Sequence, residues 1–165
     1  MRKKKICMLG AFAVGKTSLV QQLITSKFSA KYHATIGVEV GKKEMSVEGQ
    51  DIDLLIWDIQ GEDASQEISS GYLRGSAGII FVADGTRKET LDTVTTISQR
   101  VKESIGPIPS VLLINKYDKS EDWEVDDAAI NRLNAQGWST QKTSAKTGMG
   151  VEAAFEVLAR DIFEK

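Results

Sequence analysis

The chain has 165 residues, 41% of them hydrophobic and 27% charged, with a formal net charge of −2. That length suits one domain with a real core. The near-balanced charge provides no global field to recruit nucleic acid or an anionic membrane, and the longest apolar runs, such as Ile79 to Ala83, are too short to span a bilayer. The basic start Met1-Arg2-Lys3-Lys4-Lys5 leads straight into an apolar run and reads as a solvated strand entry, since no signal-peptide apolar region follows. The one cysteine, Cys7, falls inside that run and reads as a reduced core residue.

In chain order, residues 4–9 read as a buried strand and 16–25 as a helix with Leu19, Val20, Leu23 and Ile24 at helical spacing. Between them lies Gly10-Ala11-Phe12-Ala13-Val14-Gly15-Lys16-Thr17, matching G-x-x-x-x-G-K-[ST] in its required strand–loop–helix setting. Such a loop aims backbone N–H groups and the positive end of a helix at one point, which suits an oligophosphate. Lys16 adds a mobile cation, and the Thr17 hydroxyl suits Mg²⁺. The chain is therefore expected to bind a nucleoside phosphate.

Residues 39–47 and 52–58 read as strands joined by a hairpin-type turn at Glu48-Gly49-Gln50-Asp51. Residues 78–84 form a continuous apolar run, the mark of a strand buried on both faces. Leu91, Val94, Ile97, Val101 and Ile105 define a helix stopped by Gly106-Pro107. A strand at 111–114, a helix at 126–136 closed by Gly137, a strand at 138–143 and a helix through Val151, Ala154, Phe155, Leu158 and Ile162 complete the chain. The acidic run Glu121 to Asp127 reads as a solvated loop and helix start. Alternation of this kind implies a mostly parallel sheet with helices on both faces and a site at the carboxyl ends of the strands.

Polar clusters fall at those ends. Asp58, in Trp57-Asp58-Ile59-Gln60-Gly61-Glu62, is placed to hold Mg²⁺ directly or through water, and Gly61 lets the backbone approach a terminal phosphate. In Asn115-Lys116-Tyr117-Asp118, a carboxylate can accept two hydrogen bonds from the N1–H and N2–H₂ edge of guanine. Adenine would leave it unpaired, which sets against an ATPase. Ser144-Ala145-Lys146 forms a small-residue loop whose backbone N–H can meet the guanine O6.

With those motifs in order, the chain resembles Ras-superfamily small GTPases over essentially its whole length, and the Rab branch most closely through Thr35-Ile36-Gly37-Val38-Glu39, Trp57-Asp58 and Tyr72-Leu73-Arg74-Gly75. The resemblance implies an α/β P-loop NTPase small G domain over residues 1–165: a six-stranded, mostly parallel sheet with one antiparallel strand and about five helices. Its phosphate loop would be residues 10–17, switch I about 26–38 and switch II about 60–75. It further implies that GTP or GDP is bound through Ala13, Val14, Gly15, Lys16, Thr17, Ser18, Phe28, Thr35, Gly61, Asn115, Lys116, Asp118, Ser144, Ala145 and Lys146, and Mg²⁺ through Thr17, Thr35 and Asp58. Lys16, Thr35, Gly61 and Glu62 would serve hydrolysis. Both switch segments lack regular apolar periodicity, so γ-phosphate contacts would order them. An exchange factor, a GTPase activator and effectors would read the switches together with an apolar patch of Val40, Trp57 and Tyr72; ordinary partly buried packing explains those three side chains as well.

Three departures bear on catalysis. Glu62 stands where the family usually has a glutamine that orients the attacking water, and a carboxylate lacks an N–H to donate to the transferring group. Gln60 stands where a small residue is usual; its spacing sets against it as a substitute. Phe12 stands where small or polar residues are usual, and should crowd the γ-phosphate and the path of an arginine finger. The expected protein is a slow GTP hydrolase acting as a cytoplasmic, monomeric switch; a nucleotide-locked interaction module is the alternative. His33 reads as a solvated switch I residue. No prenylatable cysteine follows Ile162-Phe163-Glu164-Lys165, so no lipid anchor is expected in this sequence.

Overall fold

The structure is a computed structural model that describes residues 2–25, 37–59 and 70–164. Its elements, in order, are β1 (Arg2–Gly10), α1 (Lys16–Thr25), β2 (Val38–Val47), β3 (Gln50–Ile59), α2 (Ser70–Leu73), β4 (Ser76–Asp84), α3 (Glu89–Ile105), β5 (Ser110–Asn115), a 3₁₀ helix (Tyr117–Asp122), α4 (Asp127–Ala135), β6 (Thr140–Lys142) and α5 (Val151–Glu164). Among the described residues the strands form one six-stranded sheet in the order β2-β3-β1-β4-β5-β6. Only the β2–β3 pair is antiparallel; β1 pairs in parallel with β3 and β4, and β5 with β4 and β6.

Side-chain alternation divides the core in two. From β1, Ile6 and Met8 face α1 and α5, joining Leu19, Leu23, Phe155, Leu158 and Ile162. Cys7 and Leu9 face the other way and pack with Leu73 of α2 and Val94, Ile97 and Val101 of α3. The central strand β4 feeds both layers, which is why residues 78–84 read as an unbroken apolar run. Burying a side chain such as Phe155, fully enclosed here, stabilises by roughly 1.5–3 kcal/mol. Among the described residues no helix is long and apolar enough to cross a membrane.

Several boundaries differ from expectation. The hairpin turn narrows to Glu48-Gly49, because Val47 pairs with Gln50 and Ser46 with Asp51. Both turn residues have positive φ, 51° and 79°, the backbone that two-residue hairpins need to follow strand twist. The last strand keeps only Thr140–Lys142 of the expected 138–143, with Trp138 instead setting its ring edge-to-face against Phe81. The acidic run begins inside a 3₁₀ helix that ends at Asp122, and Asp126 is the cap of α4, its carboxylate accepting the Ala129 N–H at 2.8 Å. The basic start is an exposed strand entry at Arg2 and Lys3, as expected, with its side chains used in packing: Lys5 Nζ lies 3.6 Å over the Trp57 ring and donates to the Arg74 carbonyl, while Arg2 and Lys4 flank Phe163.

Candidate functional site

The sheet delivers the ends of β1, β3, β4 and β5 to one rim. Past β1, the loop of residues 11–15 turns into α1, whose first bond runs from Leu19 N–H to the Gly15 carbonyl. The turn uses positive φ at Ala13 (59°) and Gly15 (101°). Val14 is fully buried in the α1/α5 layer and anchors the loop from beneath. Lys16, only 7% exposed, reaches back so that its Nζ donates to the carbonyls of Gly10 and Ala11 at 3.2 and 3.3 Å. At the end of β3, the buried Asp58 accepts the Thr17 hydroxyl at 2.5 Å.

Hard oxygen donors are what Mg²⁺ selects, and the Thr17 hydroxyl beside the Asp58 carboxylate supplies two at the loop's edge. The residues present thus fit such an ion. Among the described residues no cluster of three or more His, Cys, Asp or Glu side chains forms a metal site by itself.

At the end of β5, Asn115 is buried and works in two directions. Its amide donates to the Val14 carbonyl at 2.9 Å, and its Oδ1 accepts the Thr143 hydroxyl at 3.1 Å. Lys116 donates to the Ala13 carbonyl at 2.7 Å from a left-handed backbone (φ 74°), which a lysine holds only where its surroundings enforce it. Asp118 is exposed, and its Oδ1 accepts the Ser144 hydroxyl at 2.8 Å. Ser144 Oγ also accepts the Thr147 N–H, while the Ala145 carbonyl accepts Gln22 of α1. The loops after β5 and β6 are thereby joined to each other and to α1.

The structure therefore brings Ala13, Val14, Gly15, Lys16, Thr17, Asn115, Lys116, Asp118, Ser144 and Ala145 together at one rim, alongside Asp58. Lys146 stands exposed beside them. Phe28, His33, Thr35, Gln60, Gly61 and Glu62 lie outside the described residues. Phe12 is 40% exposed, and its carbonyl accepts Arg87 Nη2 at 2.8 Å. Val40, 56% exposed, pairs across the strands with Trp57. Trp57 and Tyr72 are half-buried against the α2/α3 layer, so packing accounts for much of both.

Sequence reasoning passed over Asp84, Thr86 and Arg87. Asp84 ends β4 and is 1% exposed. Its Oδ2 meets Lys116 Nζ at 2.8 Å and Arg87 Nε at 3.0 Å, and its Oδ1 accepts the Thr86 N–H and hydroxyl at 2.9 and 2.7 Å. Burial alone would raise this carboxyl; the hydrogen bonds from Lys116, Thr86 and Arg87 together outweigh it and hold the group below the usual carboxylate range. A carboxylate at a strand's carboxyl end beside the phosphate loop was the available signal.

The family model described as Ras family matches residues 5–164. Curated relatives include Ras-related protein Rab-4 of Dictyostelium discoideum, 33% identical over 98% of this chain and 80% of its own length. Ras-related protein Rab-13 of Bos taurus and of Canis lupus familiaris are 32% and 33% identical, with the same coverage.

Proposed function

The chain belongs to the Ras family as a Rab-like small GTPase, a nucleotide-binding switch, and from that premise we propose that it binds GTP and GDP with Mg²⁺ in a single G domain over residues 1–165 and hydrolyses GTP slowly. The observation that carries this reading is the Asn115–Val14 bond. It mates the stretch that would read the base with the loop that would hold the phosphates, residues 101 positions apart.

In this reading the backbone N–H groups of the 10–17 loop and Lys16 hold the β- and γ-phosphates. Asp118 takes the guanine N1–H and N2–H₂ pair, while Asn115, Lys116, Ser144, Ala145 and Lys146 shape the base pocket and Phe28 packs on the base edge. Thr17 and Asp58 hold Mg²⁺, joined by Thr35 when the γ-phosphate is present. The ion, when bound, neutralises charge on the phosphate oxygens. Gly61 donates its N–H to the γ-phosphate, so switch I (about 26–38) and switch II (about 60–75) respond to its loss. The exposed Val40, with Trp57 and Tyr72, contributes to the surface that exchange factors, activators and effectors read. Glu62 adds negative charge where charge accumulates in the transition state and lacks a donor for it, which slows the chemistry. Phe12 stands in the path of an arginine finger.

Nucleotide extracted from the purified protein is expected to be GDP or GTP. Single-turnover hydrolysis should be slow and should rise in Glu62→Gln. A lower rate in Glu62→Gln would make Glu62 an active participant and overturn the catalytic part of the reading. Bound GTP that stays unconverted over hours in both proteins would favour a nucleotide-locked interaction module.

A further inference from the structure

Three successive carbonyls of the phosphate loop are each held by a side chain from elsewhere in the chain. The Phe12 carbonyl accepts Arg87 at 2.8 Å, Ala13 accepts Lys116 at 2.7 Å, and Val14 accepts Asn115 at 2.9 Å. In a trans peptide the C=O and the next residue's N–H point in opposite directions. A carbonyl drawn outward therefore aims the following N–H inward, so the three ties together orient the N–H groups of Ala13, Val14 and Gly15.

Asn115 and Lys116 belong to the base-reading stretch. Arg87 belongs to no motif; it comes from the turn between β4 and α3. Its guanidinium uses one nitrogen on Asp84 and another on the Phe12 carbonyl, a forked geometry that a single ammonium cannot copy. The same Asp84 oxygen also holds Lys116. The buried carboxylate is thus a common anchor for two of the three ties. It is itself fixed by the Thr86 N–H and hydroxyl. The left-handed backbone of Ala13 and of Lys116 lies on this path, joined by their own hydrogen bond. Strain of that sort persists only where neighbours over-determine it.

We infer that Arg87 and Asp84 are positioning residues for phosphate binding, acting through the Phe12 and Ala13 carbonyls to pre-aim the loop's N–H groups. The inference rests on the nucleotide reading above. Its test is release of a fluorescent GDP analogue from the Mg²⁺-loaded protein, with ³¹P spectra of bound GDP. Arg87→Ala should release GDP about tenfold faster, the scale of one lost charge-assisted hydrogen bond, and shift the phosphate resonances. Arg87→Lys keeps the charge beside Asp84 but loses the fork, so it should release as fast as Arg87→Ala. Asp84→Asn should release faster still. Release from Arg87→Ala within about twofold of wild type, with unmoved phosphate resonances, would overturn the inference; so would full rescue by Arg87→Lys, which would reduce the role to charge balance. Arg87 is partly exposed, so its two variants decide the matter even where Asp84→Asn does not fold. A wild-type protein that binds no guanine nucleotide would overturn the nucleotide reading instead.

Discussion

Gly85→Ala is a substitution whose sign depends on one indole ring. Gly85 follows β4 and is buried; its N–H donates to the Asn115 carbonyl at 2.9 Å and its C=O accepts the Glu124 N–H at 2.8 Å. The backbone is thereby tied to both β5 and the segment after the 3₁₀ helix, and cannot slide. Its φ is not positive, so on backbone grounds alone alanine would stabilise by about 0.4–1 kcal/mol. A Cβ there would lie 2.5 Å from Trp123 Cε3 and nearer still to Cζ3 and Cη2. Carbon atoms pack at about 3.5–4.0 Å, so the rigid ring must retreat by more than an ångström. The same ring also packs edge-to-face with Tyr117, centroids 5.0 Å apart. Overpacking of this kind costs about 1–3 kcal/mol, and loss of the aromatic pair about 0.5–1.5 kcal/mol more. The net expectation is about 2–3 kcal/mol of destabilisation, or roughly 4–12 °C in the thermal midpoint for a chain of 165 residues. Thermal unfolding followed by circular dichroism with saturating GDP measures it. Trp123→Leu should make the same Gly85→Ala change nearly neutral, because the clash partner is gone. An unchanged midpoint in the single variant, or strict additivity in the double, would refute the reasoning.

Three further outcomes follow from the site and its surroundings. Thr17→Ala removes the hydroxyl that meets Asp58, so chelating Mg²⁺ is expected to accelerate GDP release from wild type and from Thr17→Ser but not from Thr17→Ala. The Asp84 carboxyl sits below its ordinary value of 3.8, so the unfolded state binds the proton more readily than the folded one. Its stabilisation is therefore complete above about pH 4 and is lost as pH falls through the depressed folded value. In urea titrations the advantage of wild type over Asp84→Asn should shrink below that pH; an advantage that grew in acid would reverse the sign. Burial raises the Cys7 thiol, against smaller opposing effects of Ser76 and Lys5, so alkylation at neutral pH should be slow and should track global unfolding; rapid labelling of the native protein would contradict its placement.

The glycine-rich loop, the alternating strands and helices and the polar clusters at strand ends were legible because each depends on short-range pattern: glycine spacing, apolar periodicity, polar residues after apolar runs. Features set by contacts distant in sequence were not. The turn shrank to Glu48-Gly49 because strand register forced a glutamate into left-handed backbone, against its own preference. The 3₁₀ helix at Tyr117–Asp122 is too short and polar to carry a period; Trp123 and Glu124, packed on Gly85 just beyond it, help hold it in place. Asp84 was visible only as the last residue of an apolar run, and Arg87 belonged to no pattern. Their importance appears once β4 lies between β1 and β5. In Phe12 the ring is the unusual feature of the sequence, while the hydrogen bond the structure shows is made by its carbonyl.

The ties on the phosphate loop also bear on how this protein comes to exist. Eight consecutive residues carry the motif, yet its carbonyls are held by residues 75, 101 and 103 positions away. A ribosome that has released only the first half of the chain has made the motif without the means to shape it. The loop acquires its geometry only when β4 and β5 have docked, among the costliest closures in loop entropy. Capture of nucleotide then reports that β4 and β5 are in place beside β1, and the ligand's binding energy is added to that state. An amino-terminal fragment ending before β4 should carry the signature intact and bind nothing.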